Sequence, residues 1–320
     1  MTPTRHVPKT LLEAIRHFAD QDVCLSFMVG LRWPDGVTCP TCGSREVRFL
    51  STRRLWQCKG QHPRRQFSAK VGTVFEDSPI GLDKWLAAIW MIANAKNGVS
   101  SYEMSRALGV TQKTAWFMLH RIRLAMQTAH FQKMGGEVEV DETFIGGRAR
   151  FMHKGKRAQK IKGTGGMGKA AVMGLLERHG ADGHSVVRTA VVPNTRRHHL
   201  REKIREHVAS GSEVFSDKLG SYRGLEDEYV HKVIDHAEAY AKGKVHTNGL
   251  ENFWSLLKRA IKGTYVNVEP FHLFRYLDEE SFRYNTRKAT DASRFQRLLG
   301  AVLGKRVTYE QLIGAQPATT

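Results

Sequence analysis

Between residues 130 and 137 the hydrophobic period of this chain changes, and that change limits what it can fold into. Upstream, LDKWLAAIWMIANAK, SYEMSRALG and TQKTAWFMLHRIRLAMQ carry apolar residues at helical spacing over residues 82–130. Downstream, Glu137-Val-Glu-Val-Asp141 alternates residue by residue, and AAVMGLLER, SVVRTAVVP and SEVFSD read as further short strands. HHLREKIREHVA and GLENFWSLLKRAIKG, interleaved with them, read as helices, and PFHLFRYLDEESFRYNTR follows. The order predicts a helical module followed by an α/β domain, a sheet with helices packed on it. No internal repeat is present.

Ahead of the helical module, residues 9–30 form another helical run, ended by Gly30 and Trp33-Pro34-Asp35-Gly36. The next block has little helical character and contains Cys39-Pro-Thr-Cys42-Gly. Two thiolates at this spacing can share one tetrahedral Zn²⁺ while backbone N–H groups turn toward the sulfurs. Cys58 follows sixteen residues after Cys42, and His62 stands at a C-x3-H spacing from it. The expectation is a structural Cys3His zinc site made of Cys39, Cys42, Cys58 and His62; a pair of unliganded thiols is the alternative. Cys24, inside the first helical run, reads as a small buried hydrophobe. Four cysteines in 320 residues do not make a disulfide framework.

Fifty Lys and Arg against 31 Asp and Glu leave a formal charge of +19, spread along the whole chain. Such a field attracts polyanions, so nucleic acid is the first candidate partner. No stretch approaches the roughly 20 apolar residues that cross a bilayer, and the N-terminus lacks the apolar core of a signal peptide. The expected location is the bacterial cytoplasm, in association with the nucleoid, with no membrane partner.

Within the helical module, SSYEMSRALGVTQKTAWFMLHRIR has the layout of a helix-turn-helix: a helix ending at Leu108-Gly109, a tight turn, and a second helix capped by Thr111. Ala115, Leu119 and Ile122 share one face of that second helix, leaving Gln112, Lys113, Trp116 and Arg123 as candidate DNA contacts. An ordinary helical hairpin has the same spacing.

In the α/β domain Asp141 closes an alternating strand, Asp217 ends another, and Glu251 stands near the start of a helix. Three carboxylates delivered this way can converge on a pair of Mg²⁺ ions that serve phosphodiester chemistry. Isolated acids at strand ends are usually solvated or capping residues. Lys258 lies seven residues beyond Glu251, about two helical turns, on the same face, where it can hold a DNA phosphate. Glu142 points to the opposite face of its strand and is the weaker candidate ligand of the two. His246 and Thr247 either help position the site or cap the helix, and Trp254 is expected in the core. Arg283, Asn285 and Arg287 are expected to brace the site or touch phosphate. The Gly- and Lys-rich stretch 148–169 reads as a basic loop that either contacts DNA or is merely solvated.

Taken together, RWPDGVTCPTCGS, RRQFSAKVGTVFEDS, KWLAAIWMIANAKNGVSS, LGVTQKTAWFMLHRIR, VEVDETFIGG, HTNGLENFWSLLKRAIKGTY and EESFRYNTR resemble the ISXO2-like family of bacterial insertion-sequence transposases, from about Trp33 to Arg287. The resemblance implies a zinc ribbon followed by a DDE catalytic domain of the RNase H-like type, a mixed five-stranded sheet with helices on both faces. Carried onto this sequence, it makes Asp141, Asp217 and Glu251 the acidic triad and Lys258 the basic residue seven positions after the third acid. The separation of Asp217 and Glu251, 34 positions, fits the DDE pattern. Some relatives use asparagine at the third position, and Asn248 and Asn252 flank Glu251; the lysine at plus seven favours Glu251. The family's usual second CxxC is missing here, Gln61 standing at that place and His62 one residue on.

The implied organisation is an N-terminal helical segment (1–32), a zinc ribbon (33–78), a helix-turn-helix module (79–132), a catalytic domain (135–290) and a C-terminal tail or helix (291–320). The implied activity is cleavage at the element's terminal repeats and strand transfer into target DNA, with two Mg²⁺ or Mn²⁺ per active site. A homodimer or higher assembly on double-stranded DNA is the expected working form. Two alternatives compete: a domesticated descendant that binds DNA without catalysis, and another two-metal nuclease on the same fold.

Overall fold

The computed structural model describes residues 6–127, 132–147, 154–155, 168–180, 182–217, 220–234 and 246–314. The chain forms two compact units, Met1–Gln127 with Lys288–Thr320, and Thr128–Arg287. The basic stretch 148–169 lies, apart from residues 154–155 and 168–169, outside the described residues.

The first unit begins with α1 (Leu11–His17) and α2 (Gln21–Arg32) and continues into a small antiparallel sheet, β1 (Val47–Leu50), β2 (Leu55–Cys58) and β3 (Gln66–Phe67), in the order β1-β2-β3. Helices α3 (Leu82–Asn94), α4 (Ser101–Leu108) and α5 (Gln112–Met126) follow. Their boundaries have local causes. Ser100 caps α4 through Glu103 N, Gly109 ends it at φ 59°, and Thr111 caps α5 through Thr114 N.

In the second unit β4 (Glu137–Ile145), β5 (Ala170–Glu177), β6 (Val186–Val192), β7 (Glu213–Asp217) and β8 (Val230–Ile234) make one sheet, ordered β6-β5-β4-β7-β8. β4, β5 and β6 pair antiparallel, while β7 is parallel to both β4 and β8. Helix α6 (Arg197–His207) crosses over between β6 and β7; α7 (Asn248–Ala260) and α8 (Leu273–Asn285) follow β8. The alternation in β4 sorts its residues to two faces. Val138 and Val140 pack with Met173, Leu175 and Val214 against Leu200 and Ile204 of α6. On the other face, Val172, Leu176 and Val187 pack against Leu250, Phe253, Trp254 and Leu257 of α7 and Leu273 and Leu277 of α8. The mixed five-stranded sheet with helices on both faces is therefore present. β8 was not legible as a strand: it sits at the sheet edge, with His231 and Lys232 interrupting its apolar residues and Val230 and Val233 half exposed.

The chain then returns to the first unit as α9 (Asp291–Gly300) and α10 (Tyr309–Leu312). Phe295, Leu298, Leu299 and Val302 are buried, with the Phe295 ring 5.0 Å from that of Trp90. Val74 N donates to Val302 O at 3.0 Å, and Lys305 donates to Leu124 O and Gln127 O at the end of α5. Residues 291–314 thus complete the first unit's core.

One contact fixes α7 on the sheet. Glu139, 1% exposed, accepts from Leu250 N at 3.0 Å in the first turn of α7 and from Arg178 Nε at 2.9 Å. Arg178 also donates to Glu137 at 3.2 Å and to His246 O, and its guanidinium lies 4.2 Å from the Phe215 ring. Removing Glu139 leaves the buried Arg178 guanidinium with Glu137 alone among the described carboxylates and the Leu250 N–H without its acceptor. Glu139→Ala should therefore destabilise the chain by about 3–5 kcal/mol, measured by urea unfolding; a loss below about 1 kcal/mol would mean that apolar packing alone holds α7.

Candidate active site

Asp141 and Asp217 are neighbours by strand register. β4 and β7 pair in parallel through Glu139↔Phe215, and two residues further along both strands stand Asp141 and Asp217. Asp141 shares its face with Glu139, which bonds α7, so its side chain also points toward that helix. Glu251 extends exposed from the first turn of α7, and its backbone N–H donates to Thr247 O at 3.0 Å. Burial pushes the Asp141 carboxyl up to about 6; the Trp254 and Glu142 N–H groups partly offset this, and the charges of Asp217 and Glu251 add to it. Asp141 therefore feels the charges of both other expected acids. The three are not drawn together as tightly as the cysteine cluster described below, whose ligand atoms all lie within 4.8 Å of one another.

The indole of Trp254, one turn beyond Glu251, donates to Asp141 Oδ2 at 2.8 Å. Trp254 is buried as expected, at 4% exposure, but its N–H gives it a polar duty at the site. The ring can lie there because the residue paired with Asp141 on β5 is Gly174. A Cβ at Gly174 would stand 2.6 Å from Trp254 Cζ2 and 2.8 Å from Leu250 Cδ2. An isolated glycine inside an apolar strand signals this kind of close approach, and in AAVMGLLER that signal was available.

Glu142 lies on the opposite face, as its position in the strand required. Burial pushes its carboxyl up to about 8, with Tyr222 partly offsetting this and the charges of Asp217 and Asp141 adding to it. Thr247 is the N-cap of α7 but gives no side-chain cap bond; Glu139 supplies that acceptor instead. His246 Nδ1 stands 3.5 Å from Glu139 Oε1. Asn285 bonds both Val187 N and Val187 O, Arg287 donates to Ser185 O, and Arg283 pairs with Glu279 and Glu280. These three residues brace α8, two of them against the β6 edge.

In the first unit, the structure brings Cys39, Cys42, Cys58 and His62 together, with Cys39 Sγ 3.4 Å from His62 Nε2 and Cys42 Sγ 3.7 Å from Cys58 Sγ. His62 Nδ1 is 2.7 Å from Pro63 O, so that nitrogen donates to the carbonyl and Nε2 faces the thiols. Burial pushes the Cys39 thiol up, but hydrogen bonds from the Cys42 and Thr41 backbone outweigh it and bring the thiol down to about 6.

A family model for an ISXO2-like transposase domain matches residues 133–285, and one for a transposase zinc-ribbon domain matches residues 19–60. A transposase-like protein of Haemophilus influenzae is 35% identical over 100 residues, covering 31% of this chain and 80% of that protein. The chain belongs to the ISXO2-like transposase family. It is a DDE-type transposase, a catalytic protein that binds and acts on DNA. An uncharacterized protein in transposable element ISH50 of Halobacterium salinarum is 26% identical over 257 residues, 77% of this chain and 84% of that one. One chain of a simian T-cell lymphotropic virus intasome in complex with PP2A regulatory subunit B56 gamma aligns at TM-score 0.26 and 11% identity, over 59% of this chain and 66% of that chain; at that score it says nothing about the fold.

The transposase's Cys3His cluster has the donor set of a structural zinc site. Among the described residues no helix is long and apolar enough to cross a membrane. In the α4–α5 pair, Lys113 is exposed with its amine 5.1 Å from the Tyr309 ring, Gln112 donates to Ser101 Oγ at 2.8 Å, and the Trp116 ring packs 4.4 Å from His120. Arg123 corrects the expectation: at 1% exposure it cannot meet a DNA groove. Met118, Leu119, Ile122, Ala125 and Met126 are buried around it, so the C-terminal half of α5 has no outward face.

Gly174→Ala should cost the transposase about 1–3 kcal/mol by overpacking against Trp254. Denaturant unfolding measures it, and an unchanged midpoint would mean that the indole moves aside freely.

Proposed function

We propose that this transposase cleaves DNA strands at the terminal repeats of its insertion sequence and then joins them to target DNA, with Asp141, Asp217 and Glu251 holding two divalent cations. The observation that carries this reading is the placing of Asp141 and Asp217 side by side on the sheet face that α7 covers, with Glu251 in that helix's first turn. An all-oxygen, acceptor-only set suits Mg²⁺ or Mn²⁺. The mutual repulsion and burial that hold the Asp141 carboxyl at about 6 are what a bound cation would relieve. Such ions, when bound, activate a water or 3′-hydroxyl and offset charge on the leaving oxygen.

The chain's own residues hold the geometry. The Trp254 N–H fixes one Asp141 oxygen, leaving the other directed away from the ring. Lys258, two turns along α7 from Glu251, carries an ammonium on the same helix face, where it binds a backbone phosphate of the strand being cut. Gln112, Lys113 and Trp116 remain the helix-turn-helix residues for contacts at the element ends. A structural zinc on Cys39, Cys42, Cys58 and His62 fixes the ribbon, and the working form is a homodimer or larger assembly on paired ends.

Asp217→Asn should retain end binding and abolish cleavage, since it removes one ligand charge while keeping the shape. The check is nucleotide-resolution mapping of products from a DNA fragment carrying the gene and its flanks, with Mg²⁺ or Mn²⁺; cleavage by the variant would remove Asp217 from the site. For the ribbon, elemental analysis should find one zinc per chain, lost in Cys39→Ser, and a folded chain that purifies without zinc would sink the assignment.

A further inference from the structure

The crossover that carries α6 puts a second set of charges at the Asp217 end of the sheet. α6 lies between β6 and β7, and its two ends are tied down by different contacts. At its C-terminus, Met134 N donates to His207 O at 2.7 Å and Lys133 donates to Arg205 O, both beside the start of β4. At its N-terminus, Ser221 Oγ donates to Thr195 O at 2.7 Å, and Arg201 donates to Arg223 O at 2.7 Å. Ser221 belongs to the helical turn Gly220–Tyr222, which begins three residues after Asp217, and Tyr222 lies within electrostatic reach of Glu142, Asp141 and Asp217. The first turn of α6 therefore borders the same end of the sheet as the two aspartates, on the face away from α7.

That turn is cationic and lacks internal partners. Arg196, Arg197 and His198 are exposed, as is Arg223 across the contact. Among the described residues no carboxylate pairs with Arg196, Arg197 or Arg223, whereas further along the helix Lys203 pairs with Glu206 and Arg205 with Glu228. A cleft of about 520 Å³ runs from this turn along α6, lined by Arg197, His198, Arg201, Glu202 and the Glu228-paired Arg205. Arg196, the N-cap of α6, gives no side-chain cap bond, and the positive end of the helix dipole adds to the charge of this turn. Three arginines without partners in a protein that acts on DNA fit phosphate, which guanidinium forks bind in bidentate fashion.

We propose that the first turn of α6, with Arg196, Arg197 and Arg223, binds backbone phosphates of duplex DNA running past the carboxylates. This rests on the reading of Asp141 and Asp217 as the reacting end. The surface carries register and affinity rather than sequence, because phosphate contacts contain no base information.

The test measures affinity of the full-length protein for a short fluorescent duplex without divalent metal, across a series of salt concentrations. For Arg196→Ala/Arg197→Ala the slope of log K against log salt should fall in magnitude by about 1.8, at about 0.9 per lost phosphate contact. Thermal melting should be unchanged, since both side chains are exposed. Lys203→Ala, a cation on the same helix already paired to Glu206, should leave the slope as it is. An unchanged slope in the double variant overturns the proposal, as does an equal fall in Lys203→Ala, which would report net charge rather than contact. Asp217→Asn should keep the full slope in this metal-free assay while losing cleavage in the product mapping run with Mg²⁺ or Mn²⁺. A failure of the carboxylate reading therefore shows in the cleavage lane alone, and a failure of the α6 surface shows in the slope alone.

Discussion

A single buried carboxylate holds the catalytic unit's working parts in place. Glu139 has given up water in the middle of β4, and its charge is tolerable only because the Leu250 N–H and the Arg178 guanidinium replace the lost solvation. The bond to Leu250 locks the first turn of α7 to the sheet, and Glu251 is the next residue along. Arg178 extends the same tie to His246 O, just before α7, and to the Phe215 ring on β7. One ion pair thus couples β4, β7 and α7, the three elements that carry Asp141, Asp217 and Glu251. An apolar side chain at position 139 would pack there but could not set the rotation or the height of α7, because dispersion has no direction.

The second constraint is the relief of the sheet surface. A helix carrying a tryptophan normally stands off a sheet by the thickness of the ring. Gly174 removes the side chain that would enforce that distance, and the indole lies in the gap with its N–H on Asp141. The donor's chemistry matters. A lysine or arginine at that place would pair with the carboxylate and cancel its charge, whereas an indole N–H orients the group and leaves it anionic. The result at Asp141 is a carboxylate oriented by neutral donors, with the charges of Asp217 and Glu251 acting on it.

Much of this was legible in the sequence, and the reasons for what was not are physical. The strands β4 to β7, the cap at Thr111, and the convergence of His62 with three cysteines all follow from local patterns that tertiary packing then respected. β8 escaped because an edge strand can leave valines exposed and alternate poorly. Glu139 sits in the same alternating run as Asp141, and periodicity shows that both share a face without showing which one meets the end of a helix. Thr247 is expected either to cap α7 or to help position the site; it holds the cap position, but the acceptor is Glu139, 108 positions earlier in the chain. Arg123 was misjudged because helical spacing assigns one outward face, whereas the second half of α5 is enclosed on all sides.

That last case bears on the meaning of the charge. A total of +19 invites the picture of a uniformly attractive surface. Yet Arg123 is buried, Arg121 is spent on Val74 O and Glu76 O, Arg178 on Glu137 and Glu139, and Arg283 on Glu279 and Glu280. These cations knit helices and strands together and are screened from any polyanion by protein atoms. Net charge therefore overstates the charge that DNA can meet, and location decides where binding occurs. Arginines that are exposed and have no carboxylate beside them are the ones whose desolvation a phosphate can offset, and in the catalytic unit the first turn of α6 concentrates them at the end of the sheet where Asp217 stands.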